Sequence, residues 1–156
     1  MTARPEMTLP YIDEHVVTVE AERIRVWHAL GEVLGGLAGP LASRGAQLLG
    51  TDPHGPHGDP LIAGSTLTGF RVVVAEPPVE LALEGRHRFS RYALVFRLQA
   101  ADGRTTLRAE TRAVFPGPHG SVYRGLVIGT RLHVVAVRRM LRTIRRRVER
   151  EARDRP

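Results

Sequence analysis

The sequence predicts an α+β domain in which a long C-terminal helix packs across a curved antiparallel sheet. Two patterns predict it. Apolar and polar side chains alternate along residues 66–115, as in strands, and apolar side chains recur with a helical period along residues 121–150. A chain of 156 residues, 42% of them hydrophobic, can bury the core of one domain. We expect that domain to span residues 11–150, with a flexible tail over residues 1–10 and a basic tail over residues 151–156.

The first part of the chain predicts one strand followed by short helices. Apolar residues alternate within residues 11–20, which indicates a strand, and recur every three positions within residues 21–30, which indicates a short amphipathic helix. Glycines after residue 30 should end that helix, and a second short helix is expected near Leu41–Leu49. Gly50–Pro60 is so rich in glycine and proline that it must form a loop.

The second part of the chain predicts consecutive strands. They are expected at Thr66–Ala75, Val79–Leu83, His87–Gln99 and Thr105–Phe115, with the last two joined by a hairpin turn at Asp102-Gly103. In the last strand Leu107, Ala109, Thr111, Ala113 and Phe115 share one face, and Arg108, Glu110 and Arg112 share the other. The sheet should therefore have one buried face and one solvated face.

The helical pattern predicts a single helix, Ser121–Arg150. One face of it, expected to cover the sheet, carries Tyr123, Leu126, Thr130, His133, Val134, Val137, Met140, Leu141, Ile144 and Val148. The opposite face carries Ile128, Leu132 and Val135 in its first half and arginines in its second half. We therefore expect the first half to be covered on both sides and the second half on one side.

The positive charge is concentrated at the C-terminal end. The net charge is +7 and every basic residue is arginine, because the sequence lacks lysine. Residues 138–156 hold nine arginines and three acidic residues, whereas the rest of the chain holds 14 basic and 13 acidic residues. Such a run could bind RNA or an anionic membrane surface. However, cations stabilise any helix C-terminus, and no aromatic residues are interleaved with these arginines, so nucleic-acid binding is the less favoured interpretation.

Several classes of function lack support in the sequence. There are no cysteines for disulfides, thiol catalysis or thiolate metal sites. No apolar run is long enough to cross a bilayer and no secretory signal is visible, so we expect a cytoplasmic protein. His54, His57, Asp52 and Asp59 could form a metal site only within a glycine- and proline-rich loop, so we expect neither a metal nor another cofactor.

Two segments resemble one known superfamily. HVVTVEAERIRVWHAL (His15–Leu30) is similar to the opening strand and tryptophan-bearing first helix of the START-like helix-grip (SRPBCC) proteins, and GFRVVVAEPPVELALEG (Gly69–Gly85) is similar to their strand, proline turn and strand. That superfamily includes polyketide cyclases and pollen-allergen-type ligand carriers. The resemblance implies a curved sheet wrapped around the C-terminal helix, two short helices after the first strand, and a cavity for an apolar or aromatic molecule. It implies no particular reaction.

In this sequence the superfamily's further strands before Thr66 are expected to be short or missing, because the loop occupies their place. Three polar residues could face the implied cavity. Tyr92 could donate a hydrogen bond to a ligand carbonyl or keep its hydroxyl in water. His133 could anchor a ligand or move a proton, or be a core histidine. Arg88 could bind a carboxylate or phosphate at the mouth, or form a surface ion pair.

His15 is a weaker polar candidate. The apolar lining is expected to come from Phe96, Thr111, Leu126, Val137 and Met140.

Three hypotheses of function follow. The first is a monomeric or homodimeric protein that binds a small hydrophobic or aromatic molecule in the cavity. The second is a polyketide cyclase- or dehydratase-like enzyme that uses the same pocket, in which His133 or Tyr92 moves a proton. The third is an interaction module that binds RNA or an anionic surface through its arginine face. A pocket with a paired acid and base would favour the second, and a closed core would favour the third.

Overall fold

The fold is built from one antiparallel sheet and helices on its inner face. This computed structural model describes residues 5–37, 44, 48, 50–53, 55–129 and 131–154. The strands are β1 (Tyr11–Val19), β2 (Thr66–Leu67), β3 (Phe70–Glu76), β4 (Glu80–His87), β5 (Ser90–Ala101) and β6 (Arg104–Val114). The helices are a short 3₁₀ helix (Pro5–Thr8), α1 (Arg23–Gly36), α2 (Gly117–Val127) and α3 (Leu132–Arg153).

The six strands form a curved antiparallel sheet in the order β1-β6-β5-β4-β3-β2. Strands β2 to β6 pair with their neighbours in sequence, and β1 joins the free side of β6, so that His15 pairs with Ala109. The β5–β6 hairpin turns at Asp102 and Gly103, whose φ angles of 51° and 74° suit a two-residue turn of type I′. The predicted α+β architecture and the predicted hairpin are confirmed.

The core lies between the inner face of the sheet and the two long helices. Leu81 and Leu83 of β4, Phe96 of β5, and Leu107 and Ala109 of β6 are almost fully buried. Two helices cover them with buried side chains: Val26, Trp27, Leu30 and Leu34 from α1, and Val137, Met140, Leu141, Ile144 and Val148 from α3. The strand alternation therefore predicted correctly which side of β5 and β6 faces inward.

Helix α1 is longer than the sequence predicted. It passes through Gly31 and Gly35 instead of ending near residue 30. The glycine at position 31 lets Leu61 pack closely on the helix, because a Cβ there would lie 2.6 Å from the side chain of Leu61. The expected second helix at Leu41–Leu49 lies outside the described residues, apart from Arg44 and Leu48. Between there and Thr66 the described residues form only isolated bridges to Arg86 and Thr66, as expected for short or missing strands.

The prediction of one helix over residues 121–150 is wrong. Helix α2 ends at Val127, and α3 begins at Leu132 after Arg131, which adopts a left-handed conformation with φ of 57°. An α-helix cannot continue through such a residue, so the predicted helix is divided into two. Helix α3 then extends to Arg153, into the segment expected to be a basic tail.

The helix break also explains why two side chains that were expected to be covered are exposed. Leu132 and Val135 were expected to be covered, yet each is 62% exposed. A helical wheel assumes a constant 100° advance per residue along one axis, and that assumption fails at Arg131. Of the side chains expected on that opposite face, Ile128 points instead into the space between helices and sheet.

The outer face of the sheet is less solvated than expected. Glu110 is 7% exposed and accepts hydrogen bonds from Arg97 (2.7 Å) and from Arg112. Burial raises the pKa of Glu110, but the bonds from Arg97 and Arg112 outweigh it and hold the pKa below its usual value. The N-terminal segment covers this cluster: Arg112 donates to the backbone oxygen of Leu9 (2.9 Å), and Leu9 is buried. Residues 5–10 therefore pack on the sheet instead of forming a loose tail.

No helix among the described residues combines the length and the hydrophobicity that a membrane crossing requires.

Candidate functional site

A cavity of about 470 Å³ lies between the sheet and the first half of α3. The floor comes from β4 to β6 and the turn before β3, and the roof comes from α2, Ile128 and the first two turns of α3. The second half of α3 instead presses Leu141, Ile144 and Val148 into the core. The first half of α3 therefore covers the cavity, and the second half packs directly against the core.

Five of the eight candidate residues line this cavity: Tyr92, Thr111, His133, Val137 and Met140. The other three lie elsewhere. Phe96 is fully buried in the core, Leu126 is 60% exposed on α2, and Arg88 is exposed in the turn between β4 and β5. His15 faces a separate polar groove beside Arg138 and Arg142.

One end of the cavity is built from an aromatic cluster, which consists of Phe70, His87, Phe89, Tyr92, Phe115 and Tyr123. The ring of Tyr123 stands edge-on to His87 at 4.7 Å between centroids and stacks on Phe89 at 5.6 Å. Tyr92 contacts His87 at 5.5 Å and Phe70 at 5.1 Å. The chain has eight phenylalanine, tyrosine and tryptophan residues, so more than half of them meet in this cluster. These rings give that end of the cavity an aromatic surface.

Tyr92 is held in place by the wall of the cavity. Its hydroxyl donates to the backbone oxygen of Gly69 at 2.8 Å. Gly85 makes this approach possible, because a Cβ there would lie 2.0 Å from that oxygen and 2.5 Å from the tyrosine ring. Burial, followed by the nearby Tyr123 and Asp52, raises the pKa of Tyr92, so the hydroxyl stays protonated. The hydroxyl proton of Tyr92 therefore already has an acceptor.

His87 lies beside Tyr92 at the end of β4. Its Nδ1 accepts a hydrogen bond from the backbone N–H of Phe89 at 3.1 Å, and its Nε2 lies 2.9 Å from the hydroxyl oxygen of Ser90. Burial lowers the pKa of His87, which favours the neutral imidazole. Both ring nitrogens thus have partners within the β4–β5 hairpin.

His133 reaches the cavity from the roof and is paired with an acid. Its Nε2 lies 2.8 Å from Oδ2 of Asp13 on β1, and the same oxygen lies 3.3 Å from Nε2 of His15. A carboxylate on one ring nitrogen orients an imidazole within its site. His133 in the described cavity wall, together with Asp13 behind it, thus forms a pair of a base and an acid.

The sequence analysis missed His87 and Ser90 as site residues and placed Tyr123 only on the sheet-facing side of a helix. No signal marked the first two, because residues 87–99 were predicted as one strand, whereas in the structure β4 extends to His87 and β5 begins at Ser90, so that the two residues pair across the turn. No signal in the sequence places Tyr123 beside them, since that contact depends on where α2 packs. The described residues contain no group of three or more histidine, aspartate or glutamate side chains arranged to hold a metal ion.

Comparison with known proteins identifies the fold. No family model matches the chain, and no curated protein matches it. Among solved structures, a protein of Nitrosospira multiformis superposes with a TM-score of 0.58 at 12% identity, covering 92% of this chain and 99% of that one. The polyketide-cyclase-like protein Cgl2372 of Corynebacterium glutamicum superposes with a TM-score of 0.50 at 14% identity, covering 90% of this chain and 92% of that one. Protein MLL2253 of Mesorhizobium loti gives 0.50 at 17% identity, covering 88% and 98%.

These similarities extend over nearly the whole chain. Together with the sheet topology and the long C-terminal helix, they show that the chain has the START-like helix-grip fold. Identities this low establish a fold and no more.

Proposed function

We propose that this protein binds a small, hydrophobic, aromatic molecule in the cavity between α3 and the sheet. The observation that carries the proposal is the cavity of about 470 Å³ with the aromatic cluster at one end. Ligand sites in proteins typically enclose about 300–1,000 Å³ and have mostly apolar walls with a few polar groups. An open cavity of this size favours the two pocket hypotheses over an interaction module with a closed core.

A planar hydrocarbon probe tests this proposal. We expect fluorene to raise the melting temperature, because a ligand that binds only the native state stabilises it by about 2.7 kcal/mol at 100 times its Kd. For a domain of this size about 1 kcal/mol corresponds to a shift of roughly 2–4 °C. Differential scanning calorimetry measures the shift, and native mass spectrometry of protein from its own host identifies any ligand that it carries. The proposal fails if fluorene neither shifts the melting temperature nor binds in a direct fluorescence titration.

A second candidate function is favoured by the Asp13–His133 pair. An imidazole that a carboxylate orients at the wall of an apolar cavity could remove a proton from a carbon next to a carbonyl, which cyclase and dehydratase reactions require. Asp13 would then be a positioning residue that holds the ring. The carrier hypothesis needs no such proton transfer, so the two functions differ in a measurable way.

Hydrogen exchange on a bound ketone distinguishes them. If the protein is an enzyme of this kind, it should accelerate deuterium exchange next to the carbonyl of 2-tetralone, measured by NMR in D₂O. His133→Gln should then lower that rate by about 10²–10⁴-fold, and Asp13→Asn, which removes the charge that orients the ring, should also lower it while fluorene still binds. Exchange at the buffer rate with wild-type protein would leave ligand binding as the function and reject the enzyme.

A further inference from the structure

We propose that the cavity selects ligands that carry a carbonyl oxygen, and that the hydroxyl of Ser90 donates the hydrogen bond which recognises it. This inference rests on the proposed ligand-binding function and specifies the chemistry of the ligand. It follows from the direction of the hydrogen bonds in the β4–β5 hairpin.

The hydrogen bonds of His87 determine which of its ring nitrogens carries the proton. Its Nδ1 accepts the backbone N–H of Phe89, so Nδ1 carries a lone pair and no proton. A neutral imidazole with an unprotonated Nδ1 must carry its proton on Nε2. The burial that lowers the pKa of His87 agrees with this neutral form. Nε2–H of His87 therefore donates to the hydroxyl oxygen of Ser90 at 2.9 Å.

The hydroxyl proton of Ser90 is available to donate a hydrogen bond. Since its oxygen accepts the bond from His87, its own O–H is left to donate, and it has no acceptor among the described residues. Ser90 is only 4% exposed, and an unpaired donor at such a buried site is unfavourable. Ser90 lines the cavity, so a ligand acceptor placed there would satisfy that proton.

The Tyr92 hydroxyl is less suited to this role, whereas three other hydroxyls of the cavity are alternatives to Ser90. The Tyr92 hydroxyl already donates to Gly69. The hydroxyl oxygens of Thr68 and Thr111 are buried in the cavity wall and have no hydrogen-bond partner among the described residues, so they are rival donors that the Ser90→Ala test separates from Ser90. Tyr123 also lines the cavity and carries a hydroxyl, which makes it the natural control.

The surroundings of Ser90 define the shape of the ligand. His87 and Ser90 pair directly across the turn between β4 and β5, which holds the donor on a rigid hairpin. The rings of Tyr92 and Tyr123 flank His87 at 5.5 Å and 4.7 Å. A ligand whose carbonyl reaches Ser90 must therefore place its remaining atoms against aromatic rings. The chemical class is a planar aromatic ketone or quinone.

Fluorene and 9-fluorenone are a matched pair for the test, because they share a flat tricyclic skeleton and differ by the carbonyl oxygen. In fluorescence or calorimetric titrations, wild-type protein should bind fluorenone about 2- to 13-fold more tightly, the effect of one net hydrogen bond. Ser90→Ala should reduce that ratio to near one and change fluorene affinity less than twofold. Tyr123→Phe should keep the preference for fluorenone.

The carbonyl stretching band of bound fluorenone gives a readout that needs no variant. It should lie at lower frequency than in an alkane, as in a hydrogen-bonded ketone. An alkane-like band, equal affinity for both compounds, or a preference that persists in Ser90→Ala would each overturn the role of Ser90 while leaving ligand binding in place. A preference that disappears only in Tyr123→Phe would assign the donor to Tyr123 instead. If wild-type protein binds neither compound, the proposed function itself is wrong.

Discussion

We expect Val137→Trp to weaken binding of fluorene and fluorenone at least about tenfold in a protein that remains folded. Val137 is 8% exposed and lies on the face of α3 that roofs the cavity, so an indole at this position occupies space that the ligand needs. Because the new side chain enters existing empty volume, we expect less strain than the roughly 1–3 kcal/mol typical of an overpacked core. Calorimetric titration should show at least about a tenfold loss of affinity, equivalent to 1.4 kcal/mol or more.

Val135→Trp is the matched control for this prediction. Val135 lies on the same helix two residues earlier, but it is 62% exposed and does not line the cavity. The same substitution there should leave ligand affinity within about twofold of wild type. Unchanged binding by the Val137 variant, with near-native circular dichroism, would contradict the location of the site.

Ile144→Ala lowers the free energy of unfolding by about 2–5 kcal/mol, the range for removing a large aliphatic side chain from a core. Ile144 is fully buried, although it is surrounded in sequence by arginines. It belongs to the half of α3 that closes the core against the sheet and α1, where no cavity separates the layers. Urea denaturation measures the change, and the slope m should stay constant if unfolding remains two-state.

Arg146→Gln is the control for Ile144→Ala, because Arg146 lies two positions after Ile144 on the same turn of α3. Arg146 is exposed and makes no ion pair with the residues that the structure describes, so the free energy of unfolding should change by less than about 0.5 kcal/mol. A four-residue variant, Arg145, Arg146, Arg147 and Arg150 to glutamine, loses only exposed pairs such as Arg147–Glu32 and should keep its fold and ligand affinity. Steeply salt-dependent RNA binding by wild-type protein that this variant lost would favour the interaction-module hypothesis.

Val137→Trp and Ile144→Ala are expected to have different effects, although both residues lie on the apolar face of α3. Its apolar side chains recur on one face, so the sequence alone indicated that Val137, Met140, Ile144 and Val148 face the sheet. The pattern is the same in both halves of the helix. It could not indicate that the first half spans an open cavity and the second half is in contact with the core, because that depends on the distance between helix and sheet.

The sequence by itself determined the two strands of the β5–β6 hairpin, their buried faces and the apolar face of α3. Alternation with period two predicted the strands of β5 and β6 and the inward direction of Leu107 and Ala109, and the Asp102-Gly103 pair predicted their turn. These properties are local, because they depend on side-chain direction and on the backbone preferences of a few residues. Local sequence indicates less reliably where a helix is interrupted. The left-handed residue Arg131 divides the predicted helix and changes which side chains are covered.

Only the tertiary structure decided what the site contains. The pairing of β1 with β6 brings Asp13 within 2.8 Å of His133, although 120 positions separate them in the chain. The packing of α2 likewise brings Tyr123 to His87 and completes the aromatic cluster. The direction of the bonds at Ser90 depends on which nitrogen of His87 meets the backbone of Phe89. Periodic patterns carry no information on such contacts, because distances between segments far apart in sequence are set by the packing of the whole core.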